Sequence, residues 1–156
     1  MWVMRIDYKI VIDSREQNPL PFRGAIKKKL EFADYGAEVN GELLSVVFER
    51  KSGIDAFSTL THDHERFKRE MERAFEAGFK LIVIVECSYS KFIEKKFDGA
   101  YNIKMPHGII EKILHKMLVR YPGLEFTFCV DRSEMMAYIR NYFRALAEET
   151  VEAQGL

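Results

Sequence analysis

The sequence predicts an α/β fold in which helices flank a mixed central β-sheet. In chain order the segments read as strand, hairpin, helix, strand, helix, strand, helix, and the apolar spacing changes from strand-like to helical near Ile54. The chain has 156 residues, of which 47% are hydrophobic and 31% are charged. This size and composition are typical of one compact domain, which we expect to span residues 1–156.

The N-terminal part is predicted to form a strand followed by a β-hairpin. Residues 5–13 are rich in β-branched side chains and end at a turn-forming polar cluster in residues 14–19. Apolar segments at 35–39 and 43–48 flank Asn40-Gly41, which is the strongest short-range hairpin signal. We therefore expect these two segments to pair as antiparallel strands.

The rest of the chain is predicted to alternate between helices and strands. Phe67, Met71, Ala74 and Phe75 recur at helical spacing, and the segment KLIVIVE reads as a buried strand. The expected helices span residues 61–78, 90–97, 106–123 and 133–149, and the expected strands span residues 80–86 and 124–130. Ser90 is the expected N-cap of the second helix, and Pro106 the expected start of the third.

Charge and cysteine content limit the cellular context. The formal net charge is zero and the pI is about 6.9, so contact with a polyanion would depend on local basic patches. Cys87 and Cys129 lie in separate apolar segments, which predicts two buried free thiols and a reducing compartment. No apolar run approaches the roughly 18 residues of a membrane span. We expect a cytoplasmic or otherwise intracellular protein that is neither secreted nor membrane-bound.

Three consecutive charges end an otherwise apolar strand. Because side chains alternate along a strand, Glu49 and Lys51 are expected on one face and Arg50 on the other. Asp34, beside the first strand of the hairpin, would bring a second carboxylate to the same place. Two carboxylates and a backbone carbonyl can hold Mg²⁺, whose remaining positions water and phosphate oxygens can fill. This arrangement is suited to phosphodiester hydrolysis.

Three sequence blocks resemble a known family. IDSREQ (12–17), ADYG (33–36) and FERKSGID (48–55), in this order, are similar to the motifs of the nuclease domain of the XPF/ERCC4 endonucleases. The resemblance implies a restriction-endonuclease-like core of the PD-(D/E)xK type, with a central mixed β-sheet flanked by helices. One block departs from the pattern, because Ala33 stands where the family has glycine. We expect strain there if the backbone needs a positive φ.

The resemblance also implies a role for each matching residue. Asp34, Glu49 and the carbonyl of Arg50 would hold Mg²⁺, with Mn²⁺ able to substitute, and Lys51 would orient the attacking water. Matching supporting positions in the active site are Asp13, Arg15, Glu16, Arg50 and Asp55. Arg66 matches an arginine that reaches a DNA phosphate, and Lys68 and Arg69 are further candidate DNA contacts.

Several of these residues have a structural alternative. Asp13 could cap a loop, and Arg15 could form a structural salt bridge with Glu16 or Asp55. A solvated surface is an equal alternative for the basic residues Arg66, Lys68, Arg69 and Arg73 and for the lysines at 27–29, because the chain is balanced in charge.

The predicted function is a metal-dependent endonuclease that cuts branched DNA such as flaps, forks or splayed ends, in repair or recombination. The alternatives are a Holliday-junction resolvase or duplex nicking enzyme with the same core, and a non-catalytic subunit that binds DNA or a partner. An RNA substrate stays open, since no feature reads a 2′-hydroxyl. We further expect a homodimer through the C-terminal helices, a separate helix-hairpin-helix partner, and association with the nucleoid in a prokaryote.

Overall fold

A computed structural model describes residues 6–155 and confirms the α/β class with a mixed sheet. The strands are β1 (Tyr8–Asp13), β2 (Ile26–Lys28), β3 (Tyr35–Val39), β4 (Glu42–Leu43), β5 (Val46–Ser52), β6 (Lys80–Glu86) and β7 (Leu124–Cys129). The helices are α1 (Gly53–Leu60), α2 (His64–Glu76), α3 (Tyr89–Ile93), α4 (Ile109–Arg120) and α5 (Arg132–Ala153). Among these described residues, no helix is both long enough and apolar enough to cross a membrane.

The strand order places the ends of several strands at one edge of the sheet. The order is β2-β1-β3-β5-β6-β7, and β4 pairs with β3 outside this path. β3 is antiparallel to both β1 and β5, whereas β5, β6 and β7 are parallel. The carboxyl ends of β1, β5 and β6 therefore meet at the same edge as the start of β3. This edge carries the charged residues singled out in the sequence.

Each face of the sheet is covered by helices, which makes two apolar layers. On one face α5 contributes Ile139 and Phe143, which pack with Phe48 of β5. On the other face, α1, α2 and α4 pack against Val47, which precedes Phe48 in β5, and against the neighbouring strands. The alternation of Val47 and Phe48 between the layers follows from the pleat of β5. Cys87 and Cys129 are both buried and free, as predicted.

The hairpin is only partly as predicted. β4 pairs with the end of β3 for two residues, and Leu44 and Ser45 then interrupt the second strand. β5 makes a single ladder pair with β3, Tyr35 to Phe48, and aligns along its whole length with β6. The apolar run that reads as one hairpin strand is therefore divided, because burial beside β6 takes over from local pairing. β2 was not predicted, since its three residues, IKK, carry almost no apolar pattern.

Several helix ends also differ from prediction. Ser88, not Ser90, caps α3 by accepting a hydrogen bond from the Lys91 N–H, and α3 stops at Ile93, well short of Phe97. α4 starts at Ile109 rather than at Pro106, and α5 continues to Ala153. Residue 5, where the first predicted strand begins, lies outside the described residues. α5 starts after Asp131, whose carboxylate accepts from the Glu134 N–H as an N-cap.

Candidate active site

Asp34 lies between the ends of β1 and β5. Its carbonyl accepts a hydrogen bond from the Asp13 N–H (2.8 Å), and its own N–H donates to the Phe48 carbonyl (2.9 Å). Its carboxylate oxygen Oδ2 accepts from the Arg50 N–H at 2.8 Å. The backbone therefore fixes Asp34 beside the residues that follow Phe48, as the sequence predicts.

Glu49 and Lys51 share one face of β5. Lys51 Nζ lies 4.0 Å from Glu49 Oε1, and the two side chains are only 19% and 22% exposed. The Arg50 side chain takes a different direction and approaches Glu16, with 3.5 Å between Nε and Oε2. This arrangement confirms the alternation expected of a strand. It brings the Glu49 carboxylate and the Lys51 ammonium together where both are largely shielded from solvent.

The carboxyl groups of Asp34 and Glu49 both have a raised pKa. Burial, opposed by the hydrogen bond from the Arg50 N–H and reinforced by the charges of Glu49 and Glu16, raises the pKa of Asp34 to about 7. Burial also raises the pKa of Glu49, although Lys51 acts in the opposite direction. Several carboxylates are thus held closer together than their own charges favour.

Glu16 brings a third carboxylate to the site from the loop after β1. Its Oε2 is buried and has no hydrogen-bond partner among residues 6–155, because Arg50 Nε is beyond hydrogen-bonding reach. The same loop is fastened by two arginines. Arg50 donates to the Asn18 carbonyl at 2.8 Å, and Arg132 of α5 donates to the Asn18 and Pro19 carbonyls at 3.4 and 3.0 Å.

Asp13 and Arg15 form a pair of their own. Arg15 Nε donates to Asp13 Oδ2 at 3.0 Å, and Arg15 Nη2 donates to the Leu30 carbonyl at 2.8 Å. Asp13 Oδ1 accepts from the Leu30 N–H at 2.9 Å. Burial alone would raise the pKa of Asp13, but the Leu30 hydrogen bond and the Arg15 charge together lower it. The alternative pairing of Arg15 with Glu16 or Asp55 is wrong, because Arg15 turns towards Asp13.

Arg15 and Glu16 consequently open onto different cavities. Arg15 lines a cavity of about 670 Å³ together with Lys29 and Arg73. Glu16 lines a cavity of about 320 Å³ whose other lining residues are Arg50, Lys51, Ser52, Asp55 and Glu86. Asp55, in the first turn of α1, is therefore beside the candidate site, whereas Arg15 faces away from it.

Glu86 and Arg132 were missed by sequence reasoning, for different reasons. Glu86 ends β6 directly opposite Ser52, so the expectation of two parallel strands could have placed it at the site. Arg132 begins a helix more than 110 residues after the loop it holds, and no local pattern reveals that contact.

Of the three predicted DNA contacts on α2, two line the same cavity and the third does not. Arg66 and Arg69 line a common cavity with Arg73, in which Glu70, Glu72 and Glu76 also take part. Arg66 is paired with Asp63 at 3.5 Å and is near enough to Glu49 to lower its pKa. Lys68 is half-buried and is not one of the lining residues.

The oxygen donors at this edge of the sheet suit a metal ion that keeps some of its own waters. Within residues 6–155, no three His, Cys, Asp or Glu side chains are grouped closely enough to hold a metal ion by themselves. The predicted site needs only two carboxylates and the Arg50 carbonyl, and Mg²⁺ accepts oxygen ligands and keeps several waters. The unpartnered Glu16 oxygen and the raised pKa of Asp34 mark an excess of closely spaced acceptors. The donors therefore fit a hard divalent cation.

Ala33 has a backbone conformation that favours glycine. Its φ is 65°, in the left-handed region, where the Cβ of an L-residue is crowded. The strain that the sequence comparison anticipated is therefore present, one residue before Asp34.

The chain matches a family model and is similar to solved structures. A family model described as the ERCC4 domain matches residues 7–142. The structure of XPF from Aeropyrum pernix is similar with a TM-score of 0.60 and 19% identity, covering 92% of this chain and 65% of that one. XPF from Aeropyrum pernix in complex with DNA is similar with a TM-score of 0.62 and 19% identity, covering 96% of this chain and 66% of that one. The chain spans slightly less than two thirds of these structures, and at this identity the likeness concerns the fold.

A further match, to a curated protein, is local. A UDP-N-acetylmuramoyl-L-alanyl-D-glutamate--2,6-diaminopimelate ligase of Leptospira interrogans is 35% identical over 79 residues, which is 48% of this chain. The matched region is 14% of the ligase, so the ligase reaction does not follow for this chain.

Proposed function

This chain belongs to the ERCC4 domain family, and from that premise we propose that it is a metal-dependent DNA endonuclease. The observation that carries the proposal is the convergence of Asp34, Glu49 and Lys51 at one edge of the sheet. The Arg50 N–H to Asp34 Oδ2 distance of 2.8 Å and the Lys51 to Glu49 distance of 4.0 Å support it. These groups meet through strand pairing, so their positions depend on rigid elements.

Asp34, Glu49 and the carbonyl of Arg50 are the proposed ligands of Mg²⁺, which Mn²⁺ could replace. Such a cation would offset the charge on the phosphoryl oxygens during hydrolysis. Lys51 donates hydrogen bonds only, so its proposed role is to orient the attacking water beside the phosphorus. Glu16 and Asp55 line the same cavity as Lys51.

We propose branched DNA, such as a flap, fork or splayed end, as the substrate, with a role in repair or recombination. The proposal also includes a homodimer and a separate helix-hairpin-helix partner that would add DNA grip. The apolar stripe of α5 is already occupied within the chain, because Met135, Ile139 and Phe143 are buried against the sheet. A dimer would therefore use the outer surfaces of the terminal helices.

The test is cleavage of end-labelled fork, flap, four-way junction and plain duplex DNA with Mg²⁺, Mn²⁺ or EDTA. We expect metal-dependent cutting near a branch. Glu49→Gln and Lys51→Ala should each lower the rate by at least about a hundredfold, because they remove charge that acts on the transition state. Glu42→Gln, on exposed β4, is the matched control and should cut like the wild type.

The outcomes separate the alternatives. Preferred cutting of four-way junctions would indicate a resolvase, and cutting of plain duplex would indicate a nicking enzyme. Binding without cutting, in every metal, would contradict the catalytic proposal and favour a non-catalytic DNA-binding subunit. Unchanged turnover in both site variants would contradict the assigned roles even if the wild type cuts.

A further inference from the structure

The segment that joins α3 to α4 packs against the start of α1, directly after β5. We refer to residues 95–108 as the 95–108 loop. A Cβ added to Gly53 would lie 2.7 Å from Phe97 Cβ, and one added to Gly99 would lie 3.6 Å from Ile54 Cβ. Gly53 and Ile54 begin α1 directly after Lys51 and Ser52. The loop is therefore packed beside the candidate active site and cannot move away without losing these contacts.

The loop presents one aromatic ring to solvent from a fixed backbone. Phe97 is buried, and Ala100, Ile103 and Met105 pack against the core. Tyr101, between these anchors, is 81% exposed. Backbone hydrogen bonds from Lys96 to the Lys91 carbonyl (2.8 Å) and from Ala100 to the Phe97 carbonyl (3.1 Å) hold the turns in place. The ring is thus exposed between residues that pack against the core, Ala100 on one side and Ile103 and Met105 on the other.

The loop is also basic in a protein whose formal charge is zero. It contains Lys95, Lys96 and Lys104 against Asp98, a net charge of +2 when His107 is neutral. Lys96 is paired with Glu94 at 3.1 Å but stays 69% exposed. Basic residues together with exposed aromatic rings are the combination with which proteins bind single-stranded nucleic acid.

Two adjoining cavities lie between the loop and the site. Lys96 and Phe97 line a cavity of about 340 Å³ that also includes Lys91 and Asp98. Ser52 and Glu86 border both this cavity and the one that contains Glu16 and Lys51. A nucleic-acid strand at the site could therefore pass Ser52 and Glu86 towards the loop.

We propose that the 95–108 loop binds an unpaired stretch of the DNA substrate, with a base stacked on Tyr101 and backbone phosphates near Lys96 and Lys104. This inference rests on the proposed function and narrows its substrate class. The inference depends on the position of the loop beside the start of α1, its net charge and the two adjoining cavities, and not on an exposed tyrosine alone. Bases inside a duplex are stacked on both sides, so the ring selects DNA with unpaired nucleotides.

The experiment compares two DNA molecules of equal base-pair content: a fork with two unpaired arms and a fully paired four-way junction. Dissociation constants are measured by fluorescence anisotropy in EDTA, so that binding is separated from cutting. Tyr101→Ala should weaken fork binding roughly tenfold or more, the effect of losing one base–aromatic stack. It should leave junction binding within about twofold of the wild type.

Two control variants make the readout specific. Tyr101→Phe keeps the ring and should bind the fork like the wild type. Val119→Ala, at a position on α4 that is 82% exposed, removes apolar surface elsewhere and should change neither affinity. A 2-aminopurine placed in the unpaired arm should lose fluorescence on binding to the wild type and to Tyr101→Phe, because stacking quenches it, and keep more of it with Tyr101→Ala.

Equal loss of affinity for fork and junction in Tyr101→Ala, or no loss for either, would overturn the proposal for the loop. Cleavage of the same DNA by the wild type with Mg²⁺ is scored separately. If the wild type binds and cuts the fork and Tyr101→Ala behaves in the same way, the proposed role of the loop is wrong and the nuclease proposal stands. If fork binding depends on Tyr101 but the wild type does not cut, the proposed role of the loop stands and the nuclease proposal is wrong.

Discussion

Replacing Asp34 by Asn is expected to stabilise the metal-free protein at neutral and alkaline pH. The ordinary pKa of the group is 3.8, and in the folded chain it is raised to about 7. A carboxyl with a raised folded pKa opposes folding once it ionises, so its penalty is absent below the unfolded value. The penalty grows as the pH rises from about 4 to about 7 and is constant above that.

The shift sets the size of the effect. A difference of about three pH units corresponds to a ceiling of about 4 kcal/mol, at 1.36 kcal/mol per unit. Asp34 is only partly buried, so solvent relaxation reduces this, and we expect about 1–2 kcal/mol. The amide oxygen of Asn can still accept the Arg50 N–H, which the aspartate accepts at 2.8 Å. The structural contact is therefore kept while the charge is removed.

The measurement is urea unfolding in EDTA at a series of pH values between 4 and 8. The free energy of unfolding of Asp34→Asn should exceed that of the wild type at pH 8, and the excess should shrink towards zero at pH 4. Asp98→Asn, which changes an exposed carboxyl on the 95–108 loop, is the matched control and should show no such trend. Excess Mg²⁺ should stabilise the wild type and not the variant, since the site keeps both carboxylates only in the wild type.

Two results would refute this reasoning. If Asp34→Asn is less stable than the wild type throughout the series, the carboxylate contributes more through its hydrogen bond than it loses through burial. If the excess is the same at pH 4 and pH 8, ionisation of Asp34 is not its source.

Three further predictions concern the surroundings of the site. Ala33→Gly should raise the free energy of unfolding by about 0.5 kcal/mol in urea titrations, because relief of a left-handed conformation outweighs the added chain entropy. Lys95→Gly, at another positive φ, should show a gain of the same sign if the backbone conformation is the cause. Tyr35→Phe should lose about 1–3 kcal/mol in the same assay, because the buried Leu20 N–H loses its acceptor. Arg132→Ala should lower kcat about tenfold while the dissociation constant for DNA stays within twofold, because it frees the loop that positions Glu16. Arg132→Lys should recover part of the rate. A tenfold fall in DNA affinity beside the fall in kcat would contradict a positioning role.

The parts of the fold that the sequence predicts well are those specified by local periodicity. The run KLIVIVE forms β6 with the predicted bounds, and the stripe containing Phe67 and Met71 forms the buried side of α2. The hairpin was predicted less well, since Asn40-Gly41 specifies a turn but not how far the following strand stays paired. Its second strand leaves β3 because β6, which arrives some 35 residues later, offers a longer apolar partner.

The candidate site shows the same division. Alternation along β5 places Glu49 and Lys51 together, and this follows from a few adjacent residues. The separation of Arg15 from Glu16 does not follow in this way, because it depends on contacts with Leu30 and Arg50 from other elements. Sequence spacing therefore predicts which residues reach the edge of the sheet, and packing decides which cavity each one enters.

The charges at the end of β5 are held in place against their own repulsion. Asp34, Glu49 and Glu16 lie close together, and Glu16 Oε2 has no hydrogen-bond partner among residues 6–155. Their cationic neighbours are Lys51, Arg50 and Arg66, which reduce this repulsion without removing it. Strand pairing on both sides of Asp34 supplies the rigidity that keeps them there. A group arranged only for stability would place an apolar residue at Asp34, which is why the stability gain of Asp34→Asn and the loss of cleavage in the same variant should appear together.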